Sequence, residues 1–378
     1  ACSTAPEVTE GGPAPAIYRL AVSPDVAQDS TAVPYIAALE ALLATKDSVG
    51  GIEASWDPAD RERWVYPHSD LLGLEQGWNG PLTYLPTLIA LPRTAVAGQR
   101  VAHVAFMGAD SSGHAQLKAV YRLLAQQDTG GVRFSRYIDH HAQGWSRQVI
   151  GPVTYINSPQ RTFDRKQAEA AVAANAAMAS FFGVEPMAFT YYACTGPEEV
   201  FRLRGFDHVP NMWFSTTGGQ HETWNRTIYA GNNSERYDHE VVHGYTALLF
   251  GSEMHPLLDE GLCTAIGGSN EQPYLHHRAV LARHWAADTT FRAEAHFDPA
   301  VRLDLDGGTS IAYTLGALLC ERAMRLGGRP LLFELLRTGT GPEGLRDALA
   351  LVGIDPERIT EALRLELERE PTVFFNNE

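Results

Sequence analysis

The sequence is poor in cysteine, in basic charge and in long apolar segments, and each shortage excludes a class of protein. Its four cysteines are too few for a scaffold stapled by several disulfides. No segment approaches the roughly 20 consecutive apolar residues that a membrane-spanning helix needs. Lys and Arg number 30 against 45 Asp and Glu, a formal net charge of −15. A polyanion such as DNA or RNA would be repelled on average, so no nucleic-acid partner is expected.

Length and composition predict a two-domain protein with a true hydrophobic core. The 378 residues exceed one minimal domain, and 44% of them are hydrophobic while 20% are charged. Residues 1–17 are rich in Pro, Gly and Glu without periodicity, which predicts a flexible tether. We expect an N-terminal α+β accessory domain at 18–157 and a second domain at 158–378, because the residue pattern changes near Ser158.

The N-terminal domain is expected to contain mainly strands. Apolar residues at helical spacing predict a short helix at 36–45. Runs at 101–107, 132–138 and 145–157 predict strands, while 116–126 fits either a helix or a strand. The domain shows no recognisable catalytic group. One alternative is that it binds a small ligand in a cone-like pocket and carries the main specificity.

The second domain changes from mixed to helical along the chain. A helix at 165–182 is stopped by Gly183, and short elements follow: a strand-like run at 187–194, a helix at 198–203, and strands at 212–215 and 226–229. After Asn232 the pattern predicts helices at 235–250, 257–266, 273–287, 311–326, 330–338, 343–352 and 356–369. Strands followed by helices predict an α+β fold, with a small sheet packed on a helical bundle.

One cysteine differs from the other three. Cys194, Cys263 and Cys320 lie in apolar runs, where a buried free thiol is the expected state. Cys2 follows a small residue and precedes the polar tether, which resembles the cut end of a bacterial lipoprotein signal. There a lipidated Cys2 would anchor a secreted, periplasmic or cell-surface protein to a membrane. The alternative is an N-terminal cysteine without special meaning.

A motif in the predicted helix 235–250 carries metal chemistry. His239, Glu240 and His243 form H-E-x-x-H. Residues four apart on a helix lie about 40° apart around its axis, so both imidazoles face the same way and can bind one zinc ion. Glu240, next to the first ligand, can reach the water that the zinc binds. The alternative is a pair of histidines satisfied within the core.

A catalytic zinc needs a third protein ligand and an open fourth position. Glu260 follows His243 by 17 residues and starts the next predicted helix. A hairpin of the two helices, joined across 251–256, would bring Glu260 to the same metal. The combination of His239, Glu240, His243 and Glu260-Gly261 resembles the gluzincin metallopeptidases, in which H-E-x-x-H precedes a carboxylate in an E-G-x-A-like context. The resemblance implies Glu260 as the third zinc ligand.

A third segment resembles the zinc aminopeptidase branch of that superfamily. Ser310, Tyr313, Gly316 and Ala317 match its S-x-x-Y-x-x-G-A helix. The resemblance, which covers about residues 160–345, implies a thermolysin-like catalytic domain with Tyr313 as the donor to the oxyanion of the reaction. The alternative for Tyr313 is an ordinary interfacial tyrosine. The aminopeptidases also carry a G-x-M-E-N strand, whereas the nearest stretch here, 218–222, has a different order, so endo- and aminopeptidase cleavage both stay open.

The expected function is zinc-dependent hydrolysis of a peptide or protein substrate. In that mechanism Glu240 is the general base and Tyr313 stabilises the oxyanion, while His239, His243 and Glu260 hold one Zn²⁺ ion. The alternative is a zinc-bound binding or receptor protein of peptidase-like fold without proteolytic activity. The intact Glu240 favours the hydrolase, because a structural zinc site does not require it.

Overall fold

The computed structural model describes residues 19–47, 55–210, 212–213, 215–301, 303–306, 308–372 and 374. The predicted tether and Cys2 lie outside these residues. Within them the chain forms twelve α-helices: α1 (Pro24–Gln28), α2 (Val33–Thr45), α3 (Pro58–Arg63), α4 (Ile138–His141), α5 (Arg165–Phe182), α6 (Pro197–Arg204), α7 (Asp238–Phe250), α8 (Pro256–Gly267), α9 (Tyr274–Ala287), α10 (Ile311–Leu335), α11 (Gly341–Leu351) and α12 (Ile359–Leu367).

The same described residues form thirteen strands, some of only two residues: β1 (Ala21–Val22), β2 (Tyr84–Ala90), β3 (Gln99–Ala109), β4 (Ala115–Asp128), β5 (Gly131–Arg136), β6 (Ser146–Ile150), β7 (Val153–Asn157), β8 (Phe189–Ala193), β9 (Phe206–His208), β10 (Gly219–Glu222), β11 (Thr227–Ala230), β12 (Asp304–Leu305) and β13 (Thr309–Ser310). This content confirms the predicted α+β class. Among the described residues, no helix combines the length and hydrophobicity that crossing a membrane requires.

The chain divides into two compact units. The N-terminal unit contains the described residues up to Ser146 together with Gly196–Thr216, and the C-terminal unit contains Arg147–Thr195 and the described residues from Thr217 onwards. The chain therefore returns to the N-terminal unit once, with α6 and β9. Strand β7, which precedes the boundary expected after residue 157, pairs with β8 inside the C-terminal unit.

The N-terminal unit is built on one sheet with the strand order β1-β2-β3-β4-β5, and β9 pairs with β4. Strands β2 to β5 are antiparallel, and 116–126 is a strand rather than a helix. One face of the sheet buries Phe106, Tyr121 and Phe134 against the apolar side of α2, where Leu39 and Leu42 are buried. Alternate residues in the buried parts of β4 and β5 contribute to this core.

The C-terminal unit carries a second sheet with the order β10-β11-β8-β7-β6. Strands β7, β8 and β11 run parallel, and α5 connects β7 to β8. The side chain of Asp164 caps α5 by accepting the backbone N–H groups of Lys166 and Gln167, and Gly183 ends the helix with φ 75°. Strand β10 pairs antiparallel with β11 and forms the edge of the sheet. It was not predicted.

Helices α7, α8 and α10 pack together beside this sheet, and two glycines permit the closest contact. A Cβ atom on Gly261 of α8 would lie 2.2 Å from the carbonyl carbon of Gly316 in α10. Only a residue without a side chain fits at such a helix crossing. This contact fixes the residue before Gly261, which is Glu260, relative to α10.

The predicted helices after Asn232 are all present, with one change. The runs 311–326 and 330–338 correspond to the two helical segments of α10, which the non-helical backbone of Gly328, with φ 64°, separates. The last run begins as a tight turn at Pro356 before α12. The strand predicted at 212–215 is wrong, because Met212 and Trp213 form a turn. A short apolar run cannot by itself distinguish a strand from a buried turn.

Candidate metal centre

Helix α7 presents both motif histidines to the interior of the C-terminal unit. It begins at Asp238, and the acidic residues Asp238 and Glu240 lie in its first turn, where the helix dipole favours negative charge. His239 and His243 are one turn apart, and they are 7% and 1% exposed. Their ring centroids are 4.9 Å apart. The helix therefore places two imidazoles side by side, as its period requires.

Helix α8 supplies a carboxylate to the same point. Its first residue is Pro256, and the imidazole of His255 accepts the N–H of Leu257 as a cap. Glu260 lies one turn into the helix and is buried. Its Oε2 lies 3.2 Å from Nε2 of His239 and 3.6 Å from Nε2 of His243. The two helices thus bring the three predicted metal ligands together.

The two separations between Oε2 of Glu260 and the imidazole nitrogens fit a zinc ion. Two ligand atoms at about 2.1 Å from a tetrahedral zinc are separated by about 3.4 Å. The two observed separations, 3.2 Å and 3.6 Å, lie on either side of that value. Burial alone would raise the pKa of Glu260, but the adjacent His243 and His239 outweigh it and hold this pKa well below its ordinary value. A glutamate at these distances from two imidazoles is a candidate metal ligand.

The other ring nitrogens of both histidines have their own acceptors. Nδ1 of His239 lies 2.7 Å from the carbonyl oxygen of Gly268, and Nδ1 of His243 lies 3.1 Å from Oδ2 of Asp259. Each Nδ1–H can donate to its acceptor, which leaves the Nε2 lone pair directed at Glu260 and the metal position. Asp259 is held in turn, because its Oδ1 accepts the hydroxyl of Thr246 at 2.8 Å.

Glu240 is buried on the same helix with an unsatisfied oxygen. It is 3% exposed, and no described residue bonds its Oε2. A buried carboxylate oxygen without a partner is costly unless water or a substrate satisfies it. The backbone carbonyl of Glu240 accepts the Nδ1–H of His221 at 2.6 Å. His221 is fully buried on β10, and this burial lowers its pKa to about 4.

Tyr313 lies next to the histidine pair. It is in the first turn of α10, and the side chain of Ser310 caps this helix by accepting the N–H of Tyr313. Its ring is nearly parallel to that of His239, with 6.2 Å between centroids and 18° between planes. The structure therefore brings all five predicted site residues into one region of the C-terminal unit.

The structure adds Cys263, which the sequence indicated only as a buried thiol. Donor atoms of His239, His243 and Cys263 all lie within 4.8 Å of one another. Cys263 is one helical turn beyond Glu260, and its Sγ lies 3.7 Å from Oδ1 of Asp259. Burial raises its pKa well above the ordinary value. Glu260 and Cys263 are therefore both candidates for a third ligand beside the two histidines.

The stretch 218–222 contains two buried titratable residues, His221 and Glu222. Successive side chains of a strand point to opposite faces, and His221 contacts α7. Glu222 is buried at the end of β10, and its Oε2 accepts the side-chain amide of Asn225 at 2.9 Å.

Three residues of this region were not predicted from the sequence: Asp259, Cys263 and His221. Asp259 and Cys263 flank Glu260 at helical spacings of one and three residues, so the spacing alone could have indicated them. No signal indicated His221, because β10 was not predicted. No protein-family model matches the chain, and no curated protein is significantly similar to it. The functional assignment therefore depends on the motif and this geometry.

Proposed function

We propose that the chain is a zinc-dependent peptide-bond hydrolase of the gluzincin type. The observation that supports it best is the convergence of His239 Nε2, His243 Nε2 and Glu260 Oε2 at separations suited to one zinc ion. The three ligands leave a fourth position for water or substrate, as catalytic zinc sites do. A peptide or protein is the substrate in this proposal, and secretion with attachment through Cys2 belongs to it as a further expectation.

In this mechanism Glu240 carries out the proton transfers. When bound, zinc supplies a Lewis acid and lowers the pKa of its water to about 7. The free Oε2 of Glu240 accepts the proton of the attacking water and passes it to the departing amine. The side chain of Glu240 can do this because no described neighbour occupies its Oε2.

Tyr313 stabilises the negative charge that develops on the scissile carbonyl oxygen. Its ring lies 6.2 Å from that of His239, between centroids, which supports a role for its hydroxyl in the reaction. A donor fixed in advance stabilises the transition state more than the substrate, because the charge on the oxygen appears only as water attacks. Helix α10 holds Tyr313 in place through the Ser310 cap and the Gly261–Gly316 contact.

Metal analysis and one isosteric substitution test this proposal. Protein purified without added metal is expected to contain one equivalent of zinc, and Glu240→Gln is expected to retain it while losing at least 100-fold in peptide hydrolysis. Glu253→Gln, which changes an exposed glutamate just beyond α7, is the control and should keep full activity. The absence of zinc, or full hydrolytic activity of Glu240→Gln, would contradict the proposal.

Cys263 favours a second candidate, a zinc-bound binding protein without proteolytic activity. If its thiolate joined His239, His243 and Glu260, four protein ligands would close the site, as in structural zinc sites. Cobalt-substituted protein distinguishes the two. A thiolate-to-cobalt charge-transfer band that disappears in Cys263→Ser and persists in the control Cys320→Ser would support the closed site. A spectrum without this band supports the hydrolase.

A further inference from the structure

A cavity of about 910 Å³ lies beside the metal centre in the C-terminal unit. Its walls are the first turn of α7, the segment 265–275 and the C-terminal residues 370–372 and 374. Of the five predicted site residues only His239 is among the described lining residues, so the cavity borders the candidate metal centre at this one ligand. A volume of this size accommodates a large side chain together with the adjoining backbone of a peptide.

Two walls of the cavity meet at a single buried carboxylate, that of Glu321 in α10. From one wall, the hydroxyl of Tyr274 donates to Oε2 of Glu321 at 2.6 Å. From the other wall, the backbone N–H of Thr372 donates to Oε1 at 2.8 Å. Glu321 is completely buried, and it lies outside the cavity lining. It therefore joins the walls from behind without contacting what the cavity holds.

The carboxylate of Glu321 is fixed by two arginines. Nη1 of Arg278 lies 2.8 Å from its Oε1 and 3.1 Å from its Oε2, and Nη2 of Arg325 lies 3.1 Å from Oε1. Charge-assisted hydrogen bonds of this kind are strong and directional. Beyond Thr372, the ring of Phe374 packs on that of Phe181 with 6.4 Å between centroids. The C-terminal wall is thus held at two points.

The charged residues that line the cavity are mainly acidic. Among the described lining residues the only Lys or Arg is Arg236, and its Nε lies 3.0 Å and 2.8 Å from the two carboxylate oxygens of Asp238. This pair neutralises itself, while Glu271 and Glu370 add two carboxylates that are exposed. These two carboxylates therefore favour binding of a cationic group in the cavity and disfavour binding of an anionic group.

We propose that this cavity receives a basic side chain of a peptide, and that Glu321 is the positioning residue that sets the distance between its walls. The proposal deepens the proposed function, because it names the class of substrate that would be held next to the metal centre. Tyr274 and Thr372 are the contacts through which Glu321 acts, and Glu271 contributes to the preference for positive charge.

Binding is measured apart from hydrolysis, with the zinc-loaded full-length Glu240→Gln variant. The probes are fluorescein-labelled, end-blocked alanine hexapeptides with one central Arg, Lys, Leu or Glu, followed by anisotropy. We expect the Arg and Lys peptides to bind about tenfold more tightly than the Leu and Glu peptides, as one charge-assisted contact would give. In the same background, Glu271→Gln should reduce this preference at least threefold. Equal or tighter binding of the Glu peptide would overturn the basic specificity.

The role of Glu321 is tested through its partners, because Glu321→Gln removes a buried charge and can fail to fold. Thr372→Pro deletes the N–H that donates to Glu321, whereas the matched Thr372→Val keeps this N–H and loses only the hydroxyl. Thr372→Pro and Tyr274→Phe should each weaken binding of the Arg peptide about tenfold and increase hydrogen exchange of the amides of residues 369 and 370. The affinity of Thr372→Val for this peptide should stay within twofold of the parent.

The outcomes separate the two proposals. Unchanged affinity in Thr372→Pro, or an equal loss in Thr372→Val, would overturn the positioning role of Glu321. If the wild-type protein binds the Arg peptide selectively yet leaves it uncut, the proposed hydrolase fails while the cavity assignment stands. If it cuts peptides without any preference for basic residues, the cavity assignment fails while the hydrolase stands.

Discussion

Asp259 allows the clearest quantitative prediction, because it acts on zinc only through His243. Its Oδ2 lies 3.1 Å from Nδ1 of His243, and its Oδ1 accepts the hydroxyl of Thr246 at 2.8 Å. Asp259→Ala removes the acceptor that keeps the proton on Nδ1. The imidazole is then free to carry its proton on Nε2, which removes the lone pair that the metal needs.

The size of this effect on zinc affinity follows from the loss of the carboxylate that orients His243. Removal of a carboxylate that orients a metal-binding histidine costs about 10- to 100-fold in metal affinity. In free energy this is about 1.4–2.7 kcal/mol of zinc binding. Thr246→Val leaves the Asp259–His243 contact in place and removes only the hydrogen bond to Oδ1 of Asp259. We therefore expect zinc affinity to fall by about threefold or less.

Competition with a chromophoric chelator gives the zinc dissociation constant of each variant. Asp347→Ala is the control for the loss of one negative charge, because Asp347 is exposed on α11. Circular dichroism of the metal-free proteins verifies that each variant is folded. Zinc affinity of Asp259→Ala within twofold of the wild type would refute the proposed ligation by His243 through Nε2.

Three further predictions test other contacts of the site. Tyr313→Phe should lower kcat by about 100- to 1,000-fold with little change in KM, because its hydroxyl acts in the transition state, and steady-state kinetics measures both. Gly261→Ala should lower the free energy of unfolding by about 2 kcal/mol or more in urea titrations, since its Cβ would overlap Gly316. Burial lowers the pKa of His221 from 6.5 to about 4. Between these pH values the unfolded chain binds a proton at His221 that the folded chain does not bind. The free energy of unfolding should therefore fall as the pH drops from about 6.5 to about 4. His221→Gln should flatten that slope, and an unchanged slope would contradict the assignment.

The proximity of His239, His243 and Glu260 could be predicted from the sequence far better than the contacts around them. H-E-x-x-H fixes two side chains on one helix face by the helical period alone. Glu260 lies only one short connection away, so local helix geometry nearly determines its position. The contacts of Asp259 and Cys263 follow the same local geometry and were available from their spacing, although they were not predicted.

Contacts between distant segments could not be predicted in this way. His221 reaches Glu240 only because β10 pairs with β11, and that pairing leaves no local signature in four polar residues. Glu321 joins Tyr274 to Thr372 across 47 and 51 residues of chain. Such contacts depend on how helices pack, which periodicity does not encode. The return of 196–216 to the N-terminal unit also depends on contacts between distant segments, so it could not be predicted either.

X-ray absorption spectroscopy at the zinc edge of the zinc-loaded protein tests the proposed zinc ligands most directly. We expect two imidazole nitrogens at about 2.0–2.1 Å, together with oxygen ligands at about 2.0–2.2 Å and no sulfur. Glu260→Gln should weaken the oxygen contribution, and His243→Ala should leave one imidazole. A sulfur shell at about 2.3 Å, or a spectrum without imidazole, would contradict the assignment of His239, His243 and Glu260 as an open zinc site.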